Sequence, residues 1–267
     1  MSHRNFTAIV LAGDRGRRDP VAQAANAPCK ALCPVAGKPM VWRVIETLRT
    51  TPAIDRILLV GPCRSIMDAQ PTLASELEAA GVTWLPPAAS PSQSAETALA
   101  EVADDQAVLL TTADHAALTT QMLTTMLEGS AGCDLAVGLT RYGPLRQAYP
   151  DSRRTVLRFE GGGYCGCNLF VINNARGRRL ITIWRDVTSM RKHPARMLAG
   201  LLGWATVSRY LLRRLSLEAA LDALSQRSGA RLGTVLLPQP EAAVDVDTPE
   251  DLRQVEAIIK AREREPA

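Results

Sequence analysis

A chain of 267 residues and 28.8 kDa, with 46% hydrophobic, 22% charged and 4% aromatic residues, has the composition of an ordinary globular protein with a sizeable core, which excludes wholesale disorder, a collagen repeat and a coiled coil. No run reaches the roughly 18 uncharged apolar residues of a membrane span, and the first residues lack the apolar stretch and cleavage site of a signal peptide, so a cytoplasmic protein is expected. The net charge of +4 conceals a segregation: residues 141–231 carry 17 Lys and Arg against 5 Asp and Glu, a net +12, and the remainder is net −8.

In chain order, the β-branched apolar run 7–13 ends in Gly13 and reads as a buried first strand feeding a loop. Residues 13–37 then form a long polar loop carrying Arg15, Arg17, Arg18 and Lys30, and a helix follows from Lys38 to about residue 48, with Pro39 suited to its first turn. The next segments alternate: strand 56–60, helix 69–80, strand 82–85, helix 94–102, strand 107–111, helix 120–128, strand 134–139. Such alternation predicts a mainly parallel sheet covered on both faces, with ligands at the carboxyl ends of the strands.

After residue 139 the pattern changes to short strands at 155–159 and 169–172, separated by Glu160 and three glycines. Helices are expected near 178–188, 194–212 and 217–227, then a strand at 233–237, a turn at 242–248 and a helix at 249–262. We read one domain over 1–267, with 141–231 as a basic, mostly helical subdomain within it. Leu198, Leu201, Leu202, Val207, Leu211 and Leu215 recur at helical spacing, which favours a core face over a membrane-surface face.

Of the 31 basic residues 27 are Arg, whose planar fork suits phosphate, so an anionic ligand is expected. Nucleic acid is not: the chain has 4 Trp, 4 Tyr and 3 Phe and none of the recognised binding motifs. The 6 Cys lack C-x2-C pairs, and with only 3 His they read as reduced packing thiols rather than a thiolate metal site.

The loop after the first strand, Gly13-Asp14-Arg15-Gly16, lacks the G-x-G-x-x-G of a dinucleotide fold. Gly37-Lys38 is no Walker A loop either, since Leu32 stands at its first glycine and Pro39 at its Ser or Thr. What remains is a strand, two glycines whose backbone can approach an anion, and several cations. Three further features fall at strand ends of the same inferred sheet: Thr111 to His115, Gly166-Cys167-Asn168, and Asp245-Val246-Asp247 leading to Asp251.

Four of these stretches, Leu11 to Arg18, Lys30 to Pro39, Thr112 to His115 and Val246 to Leu252, together resemble the MobA-like nucleotidyltransferases, relatives of molybdenum-cofactor guanylyltransferases and of sugar-phosphate and CMP-sugar nucleotidyltransferases. The resemblance spans residues 7–140 and 230–260. It implies a Rossmann-like sheet of the glycosyltransferase-A type, binding an NTP over the first loop while an acceptor, usually a phosphate, attacks the α-phosphate and releases pyrophosphate.

By position, Leu11, Ala12, Gly13 and Gly16 would wrap the nucleotide, and Arg18 and Lys30 would meet its phosphates. Asp114 and Asp247 would hold Mg²⁺. Lys30, Arg18 and Asp114 are the expected catalytic set, and GTP or CTP is favoured by the resemblance alone. Asp14 stands where the family commonly has a second glycine. Gly166 to Phe170 is loosely similar to the family's acceptor-side strand, which makes Asn168 a candidate acceptor contact.

Three further expectations come from the residues themselves. Ser94 is a candidate base contact or a plain helix cap; Arg153, Arg154 and Arg158 are candidate contacts to the acceptor's anionic group; His115 is a structural histidine or a minor base. Asp251 and Thr248 suit the start of the last helix. Two alternatives share the fold: a glycosyltransferase using a nucleotide sugar, and a non-catalytic nucleotide-binding relative.

Overall fold

The computed structural model describes residues 4–13, 19–189 and 203–264. Its centre is a sheet of eight strands. β1 (Phe6–Leu11) lies between β4 (Ile54–Val60) and β6 (Ala107–Thr112), parallel to both, and β5 (Val82–Leu85) extends the parallel edge beyond β4. Register places Leu11 opposite Val60 on one side and Thr112 on the other, so three strand ends finish level. On the far side, β9 (Gly162–Ile172) runs antiparallel between β6 and β7 (Leu135–Arg141), and β10 (Leu232–Leu236) pairs parallel with β7. β8 (Leu157–Phe159) adds to β9 alone.

The central strands are apolar on both faces, as a sheet covered on both sides requires. Ala8, Val10 and Leu59 face one core with α2 (Met40–Arg49) and α6 (Thr120–Gly129). Ile9, Leu58, Val108 and Leu110 face the other, packed by Ala95, Ala98 and Leu99 of α5 (Pro91–Ala100) and by Ile181 of α8 (Ala175–Ser189). The mainly parallel α/β sheet expected from the alternation is therefore present.

Several elements differ from expectation. The stretch 13–37 is not all loop: Asp19 caps α1 (Pro20–Ala24), accepting from the backbone N–H groups of Val21 at 2.9 Å and Ala22 at 3.2 Å, and Lys30–Leu32 form a 3₁₀ turn. Lys38 and Pro39 form β3 (Lys38–Pro39), paired with β2 (Pro34–Val35), so the next helix begins at Met40 rather than at Lys38. The helix expected over 69–80 is present as α4 (Pro71–Ala79), its start set by Pro71 at the first turn, and a short helix that was not expected, α3 (Arg64–Asp68), precedes it. α5 starts at Pro91 with Ser90 as its cap, so Ser94 sits inside the helix rather than opening it.

A short helix, α7 (Tyr142–Ala148), follows β7 where none was expected; its Gly143 and Pro144 are weak helix formers, tolerated in a first turn. Strand β9 begins at Gly162, not 169, and spans 11 residues. Of the helix expected over 194–212 the described part is α9 (Trp204–Leu211), and Leu198, Leu201 and Leu202 lie outside the described residues. Within it Val207 is buried but Leu211 is 75% exposed, contrary to its expected place on the core face. α10 (Leu217–Ser228), a 3₁₀ turn at Pro240–Ala243 and α11 (Pro249–Arg264) complete the fold.

Candidate active site

The level ends of β1, β4 and β6 build the start of the first loop. Ala12 donates its N–H to Val60 O at 2.8 Å, and Leu11 O accepts from Ala113 N at 2.9 Å. Gly61, at φ +101°, lies so close that a Cβ there would stand 2.6 Å from Ala12 O, a distance no side chain tolerates. Gly13 faces Pro87, whose Cβ is 3.9 Å from where a glycine side chain would begin. Leu11, Ala12 and Gly13 thus come together as expected, whereas Gly16 and Arg18 lie outside the described residues.

Lys30 sits on the 3₁₀ turn, flanked by the buried Cys29 and Cys33, and its ammonium reaches Asp114 Oδ2 at 2.7 Å and Asp247 Oδ1 at 2.9 Å. Burial pushes the Lys30 pKa down, but the two carboxylates outweigh it and hold the ammonium above its ordinary range. Asp114 lies two residues beyond the end of β6, and the Thr112 hydroxyl donates to its other oxygen at 2.5 Å. Asp114 is therefore gripped from two sides and points where Lys30 requires.

Asp245 and Asp247 alternate with Val244 and Val246, which are both fully buried, so the backbone turns both carboxylates the same way. Val246 N donates to Asp114 O at 3.1 Å and ties this stretch to the end of β6. Asp114, Asp245 and Asp247 each place a carboxylate oxygen within 4.8 Å of the others, a hard-oxygen donor set of the kind Mg²⁺ prefers.

Asp245 is the most committed of the three. Asn168, at φ +49° beside the register shift between β7 and β9, donates Nδ2 to Asp245 Oδ2 at 2.8 Å. The other oxygen, Oδ1, pairs with the Arg154 guanidinium. Arg154, with a side chain only 7% exposed, also donates to Asp245 O and to Asp251 Oδ1, each at 2.7 Å. Asp251 in turn accepts from Thr248 N at 2.9 Å while its own N–H donates to Thr248 Oγ1 at 3.1 Å, the reciprocal cap expected at the start of α11.

Three expectations are therefore revised. Arg154 does not present a free fork to an acceptor, because its guanidinium is spent on Asp245 and Asp251. Asn168 likewise acts on Asp245. Ser94 is buried and accepts from Ala88 N at 2.9 Å, so it braces the 86–91 loop and does not cap its helix. Arg153 and Arg158 are exposed, the Arg158 guanidinium lying 5.9 Å from the Tyr142 ring centroid, and no contact joins either to the carboxylates.

His115 is buried, and neither ring nitrogen has a hydrogen-bond partner. Burial lowers its pKa to about 4, the pull of Asp114 being countered by Arg262 and Arg154. It is a neutral core imidazole. The two positioning groups that sequence reading missed are Thr112, visible as a hydroxyl at the end of an apolar strand, and Arg154 in its role beneath the carboxylates, for which the sequence carries no local signal.

A family model described as MobA-like NTP transferase domain matches residues 8–232. A search of curated proteins found no match. Among solved structures, a hypothetical transferase from Thermus thermophilus is 29% identical with a TM-score of 0.77, covering 93% of this chain and 99% of that one. A CMP:2-keto-3-deoxy-manno-octonic acid synthetase complexed with CTP (14% identity, TM-score 0.59, 97% and 99% covered) shares the fold. So does a 4-diphosphocytidyl-2C-methyl-D-erythritol synthase from Anaerococcus prevotii (12% identity, TM-score 0.58, 97% of each chain). The family model spans most of the chain, and the chain belongs to the MobA-like NTP transferase domain family.

Proposed function

We propose that the chain is an NTP-dependent nucleotidyltransferase that moves a nucleoside monophosphate onto a phosphorylated acceptor and releases pyrophosphate. The observation that carries this reading is the bridge from Lys30 to Asp114, just beyond the end of β6, and to Asp247, on the stretch tied to that strand end by Val246. Nucleotidyl transfer gathers several negative charges at one phosphorus, so the protein's task is alignment and charge neutralisation.

In this reading Leu11, Ala12, Gly13 and Gly16 hold the nucleotide, and Arg18 and Lys30 neutralise its phosphates. Asp114 and Asp247 would hold Mg²⁺, which when bound supplies charge neutralisation at the reacting phosphate. Asp245 serves as their support, because Asn168 and Arg154 occupy its oxygens. Phosphate as nucleophile is already ionised near neutral pH and needs no base, consistent with the buried, neutral His115. Arg153 and Arg158, in the basic 141–231 region, are the remaining candidates for the acceptor's anion. A cytidine or guanosine triphosphate is the favoured donor, CTP being the ligand bound in one structure of the same fold.

Pyrophosphate release is measured with each of the four NTPs against a panel of sugar phosphates and other phosphomonoesters, with and without Mg²⁺. One NTP giving metal-dependent release that Asp114→Asn abolishes supports the assignment. Thermal stabilisation by no NTP, with or without metal, would overturn it in favour of a glycosyltransferase or a non-catalytic relative.

A further inference from the structure

One surface is not used by the transfer site. In α9, Val207 is buried and Tyr210 packs on Phe159 of β8 with ring centroids 5.5 Å apart, so this side of the helix faces the protein. The adjoining flank carries Trp204, Ser208 and Leu211 at positions i, i+4 and i+7, followed by Leu212, which places them on one stripe beside the buried side. Trp204 is 68% exposed, Leu211 75% and Leu212 65%, the three most exposed large apolar side chains among the described residues. A single exposed leucine is ordinary; a tryptophan and two leucines on one stripe are not.

The stripe is edged by cations. Arg209, Arg213 and Arg214 are all exposed, and none forms an ion pair among the described residues: the one side-chain contact is from Arg209 to Arg214 O at 3.4 Å. The nearby acids do not neutralise them, since Glu160 and Glu218 make no salt bridge to these arginines. Apolar anchors with a tryptophan, bordered by unpaired arginines, are the two attractions that hold a peripheral helix in a bilayer interface.

We propose that the α9 face docks the protein on an anionic lipid surface, Trp204, Leu211 and Leu212 entering the headgroup boundary while Arg209, Arg213 and Arg214 meet lipid phosphates. The charge of the patch selects this occupant: a second copy of the chain would bring three like-charged guanidinium groups against the same three. No helix among the described residues is long and apolar enough to cross a membrane, so docking is peripheral. The patch adjoins the hairpin of β8 and β9, and β9 leads to Asn168 at the carboxylate cluster. Six residues of strand, about 20 Å, separate Gly162 from Asn168.

Sedimentation of the full chain with sonicated vesicles tests this without any assay of transfer, so it stands or fails separately from the proposed activity. Binding is expected to vesicles containing phosphatidylserine and not to pure phosphatidylcholine, and to weaken with salt. The triple variant Arg209→Gln, Arg213→Gln, Arg214→Gln should bind more weakly by on the order of tenfold or more. Trp204→Ser with Leu211→Ser should lose binding while keeping the wild-type circular dichroism and Tm. The proposal is overturned by equal or absent binding to both vesicle types. It is equally overturned if the apolar double variant lowers Tm, which means the chain itself covers the stripe, or changes the oligomeric state, which means a second copy does.

Discussion

Arg154 and Asp251 meet through a 2.7 Å bond from Nη2 to Oδ1, although 97 residues separate them, and the same guanidinium holds Asp245 by its side chain and by its carbonyl. One buried cation thus fixes both ends of the stretch 245–251 that presents Asp247. Removing one partner of a buried ion pair leaves charge without compensation, so Arg154→Ala should destabilise the chain by about 3 kcal/mol. Urea unfolding gives the value, and a loss below about 1 kcal/mol means that the network is solvated. In turnover assays, Arg154→Lys should retain the fold and raise the Mg²⁺ concentration for half-maximal rate, since a single ammonium cannot span Asp245 and Asp251 as a fork does.

Lys30 bridges two carboxylates drawn from distant parts of the chain. Lys30→Ala removes the cation that, in the proposed reaction, faces the charge developing on the phosphates, and should lower kcat by on the order of a hundredfold or more. The fold should survive, because the Lys30 and Asp247 side chains border solvent, and a circular dichroism spectrum distinguishes the two outcomes. Near-normal kcat in Lys30→Ala would remove it from the catalytic set.

His115 follows Asp114 in sequence, yet its ring is buried with both nitrogens unpartnered and its pKa is lowered to about 4. At pH 6 to 8 it is neutral and out of reach of any acceptor. His115→Leu replaces an unsatisfied polar ring by an apolar group and should leave kcat within about threefold of wild type. The pH profile of the rate from 6 to 8 should be unchanged in shape; loss of an inflection in the variant would restore His115 as a base.

The half of the sheet around β1 is legible because each strand there is an apolar run closed by a polar or glycine stop: Val82–Leu85 and the strand from Ala107 match their expected limits closely. The other half is less so. The first seven residues of β9, from Gly162 to Asn168, contain three glycines, two cysteines, one tyrosine and one asparagine, and only pairing with β7 and β8 makes them a strand. Lys30, Asp114 and Asp247 are readable from motifs at strand and loop ends. The duty of Arg154 is not, because an arginine serving carboxylates 91 and 97 residues away has the same local sequence as one facing solvent.

The thiols divide by burial. Cys63 is exposed, whereas Cys29, Cys33, Cys165 and Cys167 are buried. Burial pushes the Cys167 thiol up to about 12 and the Cys165 thiol upward in the same direction. A raised pKa favours the unreactive thiol, so both positions hold little thiolate near neutral pH. Iodoacetamide at pH 8 should label Cys63 first and leave the four buried thiols intact until denaturant is added, as peptide mapping would show. Prompt labelling of Cys167 at pH 8 would mean that β9 opens in the native state.

Gly61 packs against the start of the loop proposed to hold the nucleotide. Its φ of +101° is open to glycine and strained for other residues, and an added Cβ would meet Ala12 O at 2.6 Å, so something must move. β4 is anchored in the sheet on both sides, between β1 and β5, whereas Ala12 and Gly13 begin a loop; the displacement therefore falls on the loop. Gly61→Ala should cost more than about 1 kcal/mol of stability. It should also raise KM for the NTP severalfold, with a smaller effect on kcat, because the backbone that meets the nucleotide shifts while Lys30 and Asp114 remain in place. A variant with reduced stability but unchanged KM would show that the start of the loop does not contact the nucleotide.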